Sequence, residues 1–353
     1  MKATYFSLLL MMLVMGSSCE RTIDFEGPKE ETANDMAINA LAVADGQLTV
    51  FLNRAYLVDK TPTQYFDYEH AVFAKDEFAY DYSQPNYSQR TAITNAQVTA
   101  VVNGGDEFEL YFDADGLCFH NKDYVPRVGD HIVVTATQGQ SQVSVETVVP
   151  PTPKIEVVSY EILDENPYQE VNGLMNPADS IMRITCRIND AGGNQYYRLR
   201  VRSEDTEFAP TWYGNYYWYS MQDVYFSDDE LFVDNRLTAS FGGWPAYFSN
   251  VFDNSLMKGS SYTFVIDVLK AHGSLPYIDL SLAMKDLEPI PSRVMLELQA
   301  ITPDFYRYLK SVQLFRVAEN DAFSEPVQIY SNAIGGWGIL GSLSYDRHYI
   351  AFE

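Results

Sequence analysis

Residues Val128–Val158 read VGDHIVVTATQGQSQVSVETVVPPTPKIEVV, two apolar runs around Gly139 followed by a cluster of prolines. Val143, Val145, Thr147 and Val149 recur at every second position, the period of a strand with one face buried. Pro150, Pro151 and Pro153 then stop the strand, because proline has no N–H for a sheet ladder and consecutive prolines hold the chain extended. Strand sequence up to that stop and fresh strand sequence after it predict a domain boundary here.

Toward the N-terminus the same short runs recur as MAINALAV, QLTVFLN and NAQVTAVVNGGDEF. In the last of these Ala96, Val98, Ala100 and Val102 share a face before an Asn103-Gly104 turn. Strands at this spacing predict a β-sandwich over 36–150, with the Tyr-, Asp- and Gln-rich stretch Lys60–Arg90 as a long surface loop. Toward the C-terminus, IEVVSYEIL, SIMRITCRI, QYYRLRVRS, SYTFVIDVL and SRVMLELQAI predict a second, mainly β domain over 151–353. One helix interrupts it. Thr302 is a cap, Pro303 suits the first helical position, and Phe305, Tyr308, Leu309, Val312 and Phe315 follow at helical spacing. The expected fold is therefore mainly β: two immunoglobulin-like β-sandwich domains in tandem, the second with a short amphipathic helix.

The chain opens with a leader over 1–18. Met1-Lys2 precedes the apolar run Phe6–Met15, then Gly16, Ser17 and Ser18 stand before Cys19. Ten apolar residues are too few to cross a hydrocarbon core, which needs roughly twenty. Small residues just ahead of a cysteine suit a lipoprotein signal peptidase, so Cys19 is expected to be lipidated, with multiple acyl chains as the membrane attachment. Residues 19–35, with Glu20–Asp35 polar, acidic and broken by Gly27-Pro28, read as a flexible tether.

Removing Lys2 with the leader takes the formal charge from -24 to -25 and leaves 335 of 353 residues, enough for about two domains. Such a polyanion excludes nucleic acid and any basic-patch binding to anionic lipid. Two cysteines remain, Cys118 and Cys186, which is no disulfide framework; Cys186 shares a strand face with Met182, Ile184 and Ile188 and reads as a core residue.

The histidines His70, His120, His131, His272 and His348 fall in no metal-ligand spacing, and no nucleophile elbow, phosphate-binding glycine loop or dinucleotide fingerprint occurs. Asp113-Ala114-Asp115-Gly116 and Asp228-Asp229-Glu230 cluster oxygens that suit calcium, but neither completes a loop motif, and turns with solvated acids are the simpler reading. No catalytic residue, cofactor or metal is assigned.

Two stretches are candidate binding surface. Arg198, Arg200 and Arg202 alternate along QYYRLRVRS, and Arg183 and Arg187 mark the polar face of the preceding strand; pairing of the two strands would put five arginines on one face, suited to a carboxylate-bearing ligand unless neighbouring acids neutralise it. Phe208–Ser220 packs Trp212, Tyr213, Tyr216, Tyr217, Trp218 and Tyr219 among turn residues, a platform for sugar rings, peptides or a protein partner, or else a loop folded onto its own domain.

Several segments together carry a family resemblance: Cys19 with its acidic tether, TNAQVTAVVNGGDEFEL, YVPRVGDHIVVTA ending in ETVVPPTPKIEV, FSDDELF, and ITPDFYRYLKSVQLFRVAENDAFSEPVQIYSNAIGGWGIL. Over nearly the whole mature length the chain resembles the Bacteroidota lipoprotein family catalogued as domain of unknown function 4249. Its glycine-rich close, Ile334–Gly338, is slightly off the family pattern. The resemblance implies a cell-envelope lipoprotein beside a TonB-dependent outer-membrane transporter and supplies no catalytic residues. The leading expectation is thus a non-catalytic, surface-exposed outer-membrane lipoprotein that assists such a transporter or captures its ligand. A structural or adhesive surface module is the alternative, and a carboxylate-based glycan-active enzyme a more remote one.

Overall fold

The computed structural model describes residues 36–54, 92–114, 116–163, 181–190, 192–204, 225–234, 248–257, 260–269, 293–319 and 327–351. The leader, Cys19, the tether, the Lys60–Arg90 stretch and the aromatic run Phe208–Ser220 lie outside the described residues. The first part of the fold contains β1 (Met36–Val43), β2 (Leu48–Arg54), β3 (Gln97–Val102), β4 (Phe108–Asp113), β5 (Cys118–His120), β6 (His131–Gln138) and β7 (Ser141–Val148). The second contains β8 (Ile155–Leu163), β9 (Ile181–Asn189), β10 (Tyr196–Glu204), β11 (Tyr225–Phe226), β12 (Val251–Asp253), β13 (Ser261–Leu269), β14 (Arg293–Ile301), α1 (Pro303–Glu319) and β15 (Trp337–Ala351).

Period-two alternation becomes a packed core as the sequence predicts. Ile132, Val134 and Ala136 of β6, Val143 and Val145 of β7, and Ile38, Ala40 and Ala42 of β1 point inward and are buried together. The Asn103-Gly104 turn forms with both residues at positive φ, 54° and 68°, and the Gly105 N–H donates to the Val102 carbonyl across it, the hairpin turn whose twist matches the strands. Asn103 also ties the turn to the start of β6: its Nδ2 donates to Asp130 and its Oδ1 accepts from the His131 N–H, both at 2.9 Å.

The strand order departs from two sandwiches in tandem. Hydrogen bonds run without a break through an eleven-stranded sheet, β12-β10-β14-β15-β1-β2-β5-β4-β3-β6-β7, with a separate four-stranded sheet, β11-β13-β9-β8. β15 joins the two parts. Its first half, Trp337–Leu343, runs parallel to β1, and its second, Leu343–Ala351, runs antiparallel to β14. The sheet is therefore mixed, and the core of the first part is completed by Leu340 from the far end of the chain. The proline stop does separate β7 from β8, but the connection is laced to β15: Ser342 Oγ donates to the Val148 carbonyl (3.0 Å), Ser344 Oγ to the Pro151 carbonyl (2.8 Å), and the Ile155 N–H to Asp346 (3.0 Å).

In the second part three layers stack. The four strands β12-β10-β14-β15 pack one face against the smaller sheet, burying Leu199 and Val201 against Ile184, Cys186 and Phe264, and the other face against α1. Phe305, Tyr308, Leu309 and Val312 are buried as their helical spacing requires, each contributing on the order of 1.5–3 kcal/mol, while Phe315 is half-buried. Thr302 starts the helix through its carbonyl, which accepts from the Tyr306 N–H at 2.9 Å; its hydroxyl has no hydrogen-bond partner among the described residues, so the expected side-chain cap does not form. Cys118 and Cys186 are both buried, and burial pushes the Cys186 thiol up to about 12, out of reach of ionisation at neutral pH.

Two glycines set how closely these layers approach. At Gly338, φ is +118° and a Cβ would sit 1.8 Å from the Ile38 carbonyl oxygen of β1; at Gly341 it would sit 2.6 Å from the Phe305 ring. Gly338→Ala is expected to cost more than about 3 kcal/mol in urea denaturation, or to leave no folded protein, since it combines strain with a backbone clash. Asp130 gives a pH-dependent expectation. Burial works to raise its pKa, but hydrogen bonds from the Arg127 N–H, Asn103 and Tyr124, with the Arg127 charge, hold it below the usual carboxylate range. A folded pKa below the unfolded one gives stabilisation that is present above the unfolded value, about 3.9, and is lost as pH falls through the folded value. Asp130→Asn should therefore lower the denaturation midpoint at pH 7 and narrow the gap between wild type and variant below about pH 4.

Candidate functional site

A cleft of about 670 Å³ opens where β12, α1 and the FSDDELF segment meet. The segment turns through a short 3-10 helix, Glu230–Phe232, which Asp229 caps by accepting from the Leu231 N–H at 2.9 Å; Asp229 also accepts from the Tyr262 hydroxyl at 2.8 Å. This is a structural use of the Asp228-Asp229-Glu230 cluster. Phe232 plugs the segment into an aromatic group with Tyr225, Phe248, Phe252 and Phe264, and so fixes the residues beside it at the cleft.

The cleft wall carries a buried ion pair. Lys310 Nζ lies 2.8 Å from Asp234 Oδ2, with the side chains only 8% and 7% exposed. The same ammonium donates to Ser249 Oγ at 2.7 Å, Ser249 lies 2.8 Å from Gln313 Oε1, and Gln313 Nε2 donates to Asn250 at 3.2 Å. α1 makes this possible by its period: Tyr306 and Lys310, four residues apart, share a face, and the Lys310 ammonium lies 5.8 Å from the Tyr306 ring centre. Leu231, Val233, Val251 and Leu256 give the cleft apolar wall, and Glu230, Asp253 and Ser255 add polar groups. Its size is that of a small-molecule site, and its lining is mixed, with more polar than apolar surface. Two of its three carboxylates are engaged, Asp234 by Lys310 and Asp253 by the Ser255 N–H at 2.9 Å, and Glu230 is the third.

The arginines occupy different places from those expected. β9 pairs with β8 and β13, whereas β10 pairs with β12 and β14 in the other sheet, so the NDAGGN connection crosses between layers and the five arginines share no face. The reason is that both strands place their apolar faces in the one core between the sheets, which turns their polar faces in opposite directions. Arg183 forks onto Asp267 at 2.8 and 2.7 Å, and Arg187 reaches Glu156 at 3.4 Å. Arg198 and Arg200 are buried, 2% and 4% exposed, in a polar layer with Glu297 and Gln299. Arg200 stands in register with Glu297, which also accepts from Arg347 (2.6 Å) and Gln299 (2.6 Å). Burial alone would lower the Arg347 pKa, but the Glu297 charge and hydrogen bond raise it. Arg202 is opposite Met295, and its side chain lies outside the described residues.

Trp212, Tyr213, Tyr216, Tyr217, Trp218 and Tyr219 lie outside the described residues, as does Asp115 of the other acidic turn. Among the described residues no three or more His, Cys, Asp or Glu side chains gather in a metal-binding group, and no helix is long and apolar enough to cross a membrane. Sequence reading reached the cleft only in pieces, as FSDDELF and the Tyr–Leu helix; Lys310 carries no signal of its own, because its partner lies 76 residues away.

A family model described as Domain of unknown function (DUF4249) matches residues 20–348. No curated protein and no solved structure matches the chain.

Removing one partner of a buried ion pair strands the other. Lys310→Met should cost about 3–5 kcal/mol in urea denaturation, and adding Asp234→Leu should restore most of that loss, since a packed apolar pair replaces a buried salt bridge at little cost.

Proposed function

The chain belongs to the DUF4249 family, and from that premise we propose that it is an exported, non-catalytic lipoprotein of the cell envelope, of the kind the Bacteroidota resemblance implies. It is held in the outer membrane by acyl chains on Cys19, faces the cell surface, and captures a small ligand as the accessory partner of a TonB-dependent transporter. The observation that carries the capture role is the cleft beside Lys310, with the size and mixed lining of a ligand site. The Lys310–Asp234 pair favours holding over turnover at that wall, because a general acid or base needs a proton it can exchange with substrate, and Asp234 already faces an ammonium.

The anchor reading is supported by spacing. Sixteen residues, Glu20–Asp35, separate Cys19 from the first described strand at Met36. At no more than about 3.6 Å per residue, sixteen residues reach at most roughly 58 Å, which keeps the body near the bilayer and within reach of a neighbouring barrel.

Cys19→Ala should move the protein from the membrane fraction to the soluble one, and mild-detergent extraction of the wild type should bring down an outer-membrane β-barrel; extraction that never does so counts against the partnership. Leu256→Trp, which fills the cleft mouth, should remove a small-molecule adduct from native mass spectra of protein purified from its own cells. Spectra with no adduct in the wild type would argue against capture.

A further inference from the structure

One end of the molecule gathers the point where the tether enters. Met36 opens β1 opposite Arg54, the last residue of β2, and Trp337 opens β15 beside Ala37. Ile334 bridges to Ser144 of β7, and the tip of the β6–β7 hairpin reaches the start of β3 through Gln138 Nε2, which donates to Asn95 at 2.6 Å. Two large apolar side chains stand out there: Ile334 is 76% exposed and Trp337 45%. The glycines between them explain the exposure. A Cβ at Gly335 would sit 2.5 Å from the Gln142 carbonyl oxygen, and one at Gly336 would sit 2.5 Å from that of Met36, so the backbone lies flat on β7 and β1 while its flanking side chains remain outside. In a chain with 48 acids, residues 92–97, 137–144 and 334–337 contain none and Arg54 adds a positive charge, while Asp35 of the acidic stretch Glu20–Asp35 directly precedes Met36.

We propose that this end faces the bilayer, with Ile334 and Trp337 inserted at the lipid interface beside the acylated Cys19. The inference rests on the lipid-anchor reading above and adds an orientation to it. Three independent features agree. The tether ends beside the patch, so the anchor delivers this end to the lipid first. Tryptophan is favoured at the membrane–water boundary, where its ring is half-wet. The described stretches nearest the patch, 92–97, 137–144 and 334–337, carry no carboxylate whose desolvation at the interface would oppose contact. Two apolar side chains alone bind a bilayer weakly, but the tether raises their effective concentration at the surface and makes the contact intramolecular. Because the contact is apolar, it is insensitive to salt, unlike a polybasic one.

The test uses the acylated full chain in phosphatidylcholine and phosphatidylethanolamine vesicles whose acyl chains are brominated. The chain has four tryptophans, so the Trp337 signal is the difference between wild type and Trp337→Phe. Most of that difference should be quenched by the brominated lipid, equally at low and high salt, with an unchanged melting temperature for the variant. An unquenched Trp337 in protein whose intact mass carries acyl chains on Cys19 overturns the orientation and leaves the anchor standing. An intact mass without acyl chains overturns both. A photo-crosslinker at position 337 that captures protein and no lipid in cells assigns the patch to a partner protein instead and also overturns the proposal.

Discussion

Parallel hydrogen bonding between β1 and the first half of β15 holds the fold together. Seven residues of β15 pair with Ala37–Val43, and the same strand continues into antiparallel pairing with β14. One strand thus belongs to both parts of the molecule, and its two faces seed two cores: Leu340 reaches into the first, while Ile339 and Leu343 lie under α1. Parallel pairing between the first and last described strands needs the whole chain as its connection. The entropy of closing that loop is recovered only when everything between is in place. The glycines of β15 follow from the same constraint, because Ile38 and Phe305 approach where a side chain would stand.

Charge is managed internally to an unusual degree for so acidic a chain. The central strand β14 is buried along nearly its whole length, including Glu297 and Gln299, because one face meets the smaller sheet and the other is covered as well. Glu297 is balanced by Arg347 and stands in register with Arg200, Asp267 by Arg183, and Asp234 by Lys310. Each pair lies where an unmatched charge would cost several kcal/mol, so these cations serve the architecture first. The arginine alternation along QYYRLRVRS follows from this: β10 has one apolar face for the core and one face that must satisfy an acidic neighbour.

The candidate cleft lies where two segments, around Glu230–Asp234 and Val251–Leu256, meet α1, and its geometry depends on the helix being held down by Phe305 and Tyr308. The end of the large sheet that exposes Ile334 and Trp337 lies beside Met36, where the first described strand begins.

The amino-acid sequence by itself determined the strands with alternating side chains, the Asn103-Gly104 turn, the helix after Thr302 and the proline stop at 150–153, because each depends on interactions within a few residues. Membership in its family was legible too, through motifs spread along the chain. Only the tertiary structure decided that β15 joins the two parts into one mixed sheet, since WGILGSLSYDRHYIA carries glycines where a strand would show apolar alternation and finds its partner at the other end of the chain. The arginine strands likewise looked like neighbours across a turn, yet folded into different sheets, because sequence adjacency does not say which of two layers receives the next strand. The Lys310 cleft was invisible for the same reason: its ion pair joins residues whose meeting is fixed by how a helix packs on a sheet, and no local pattern records that.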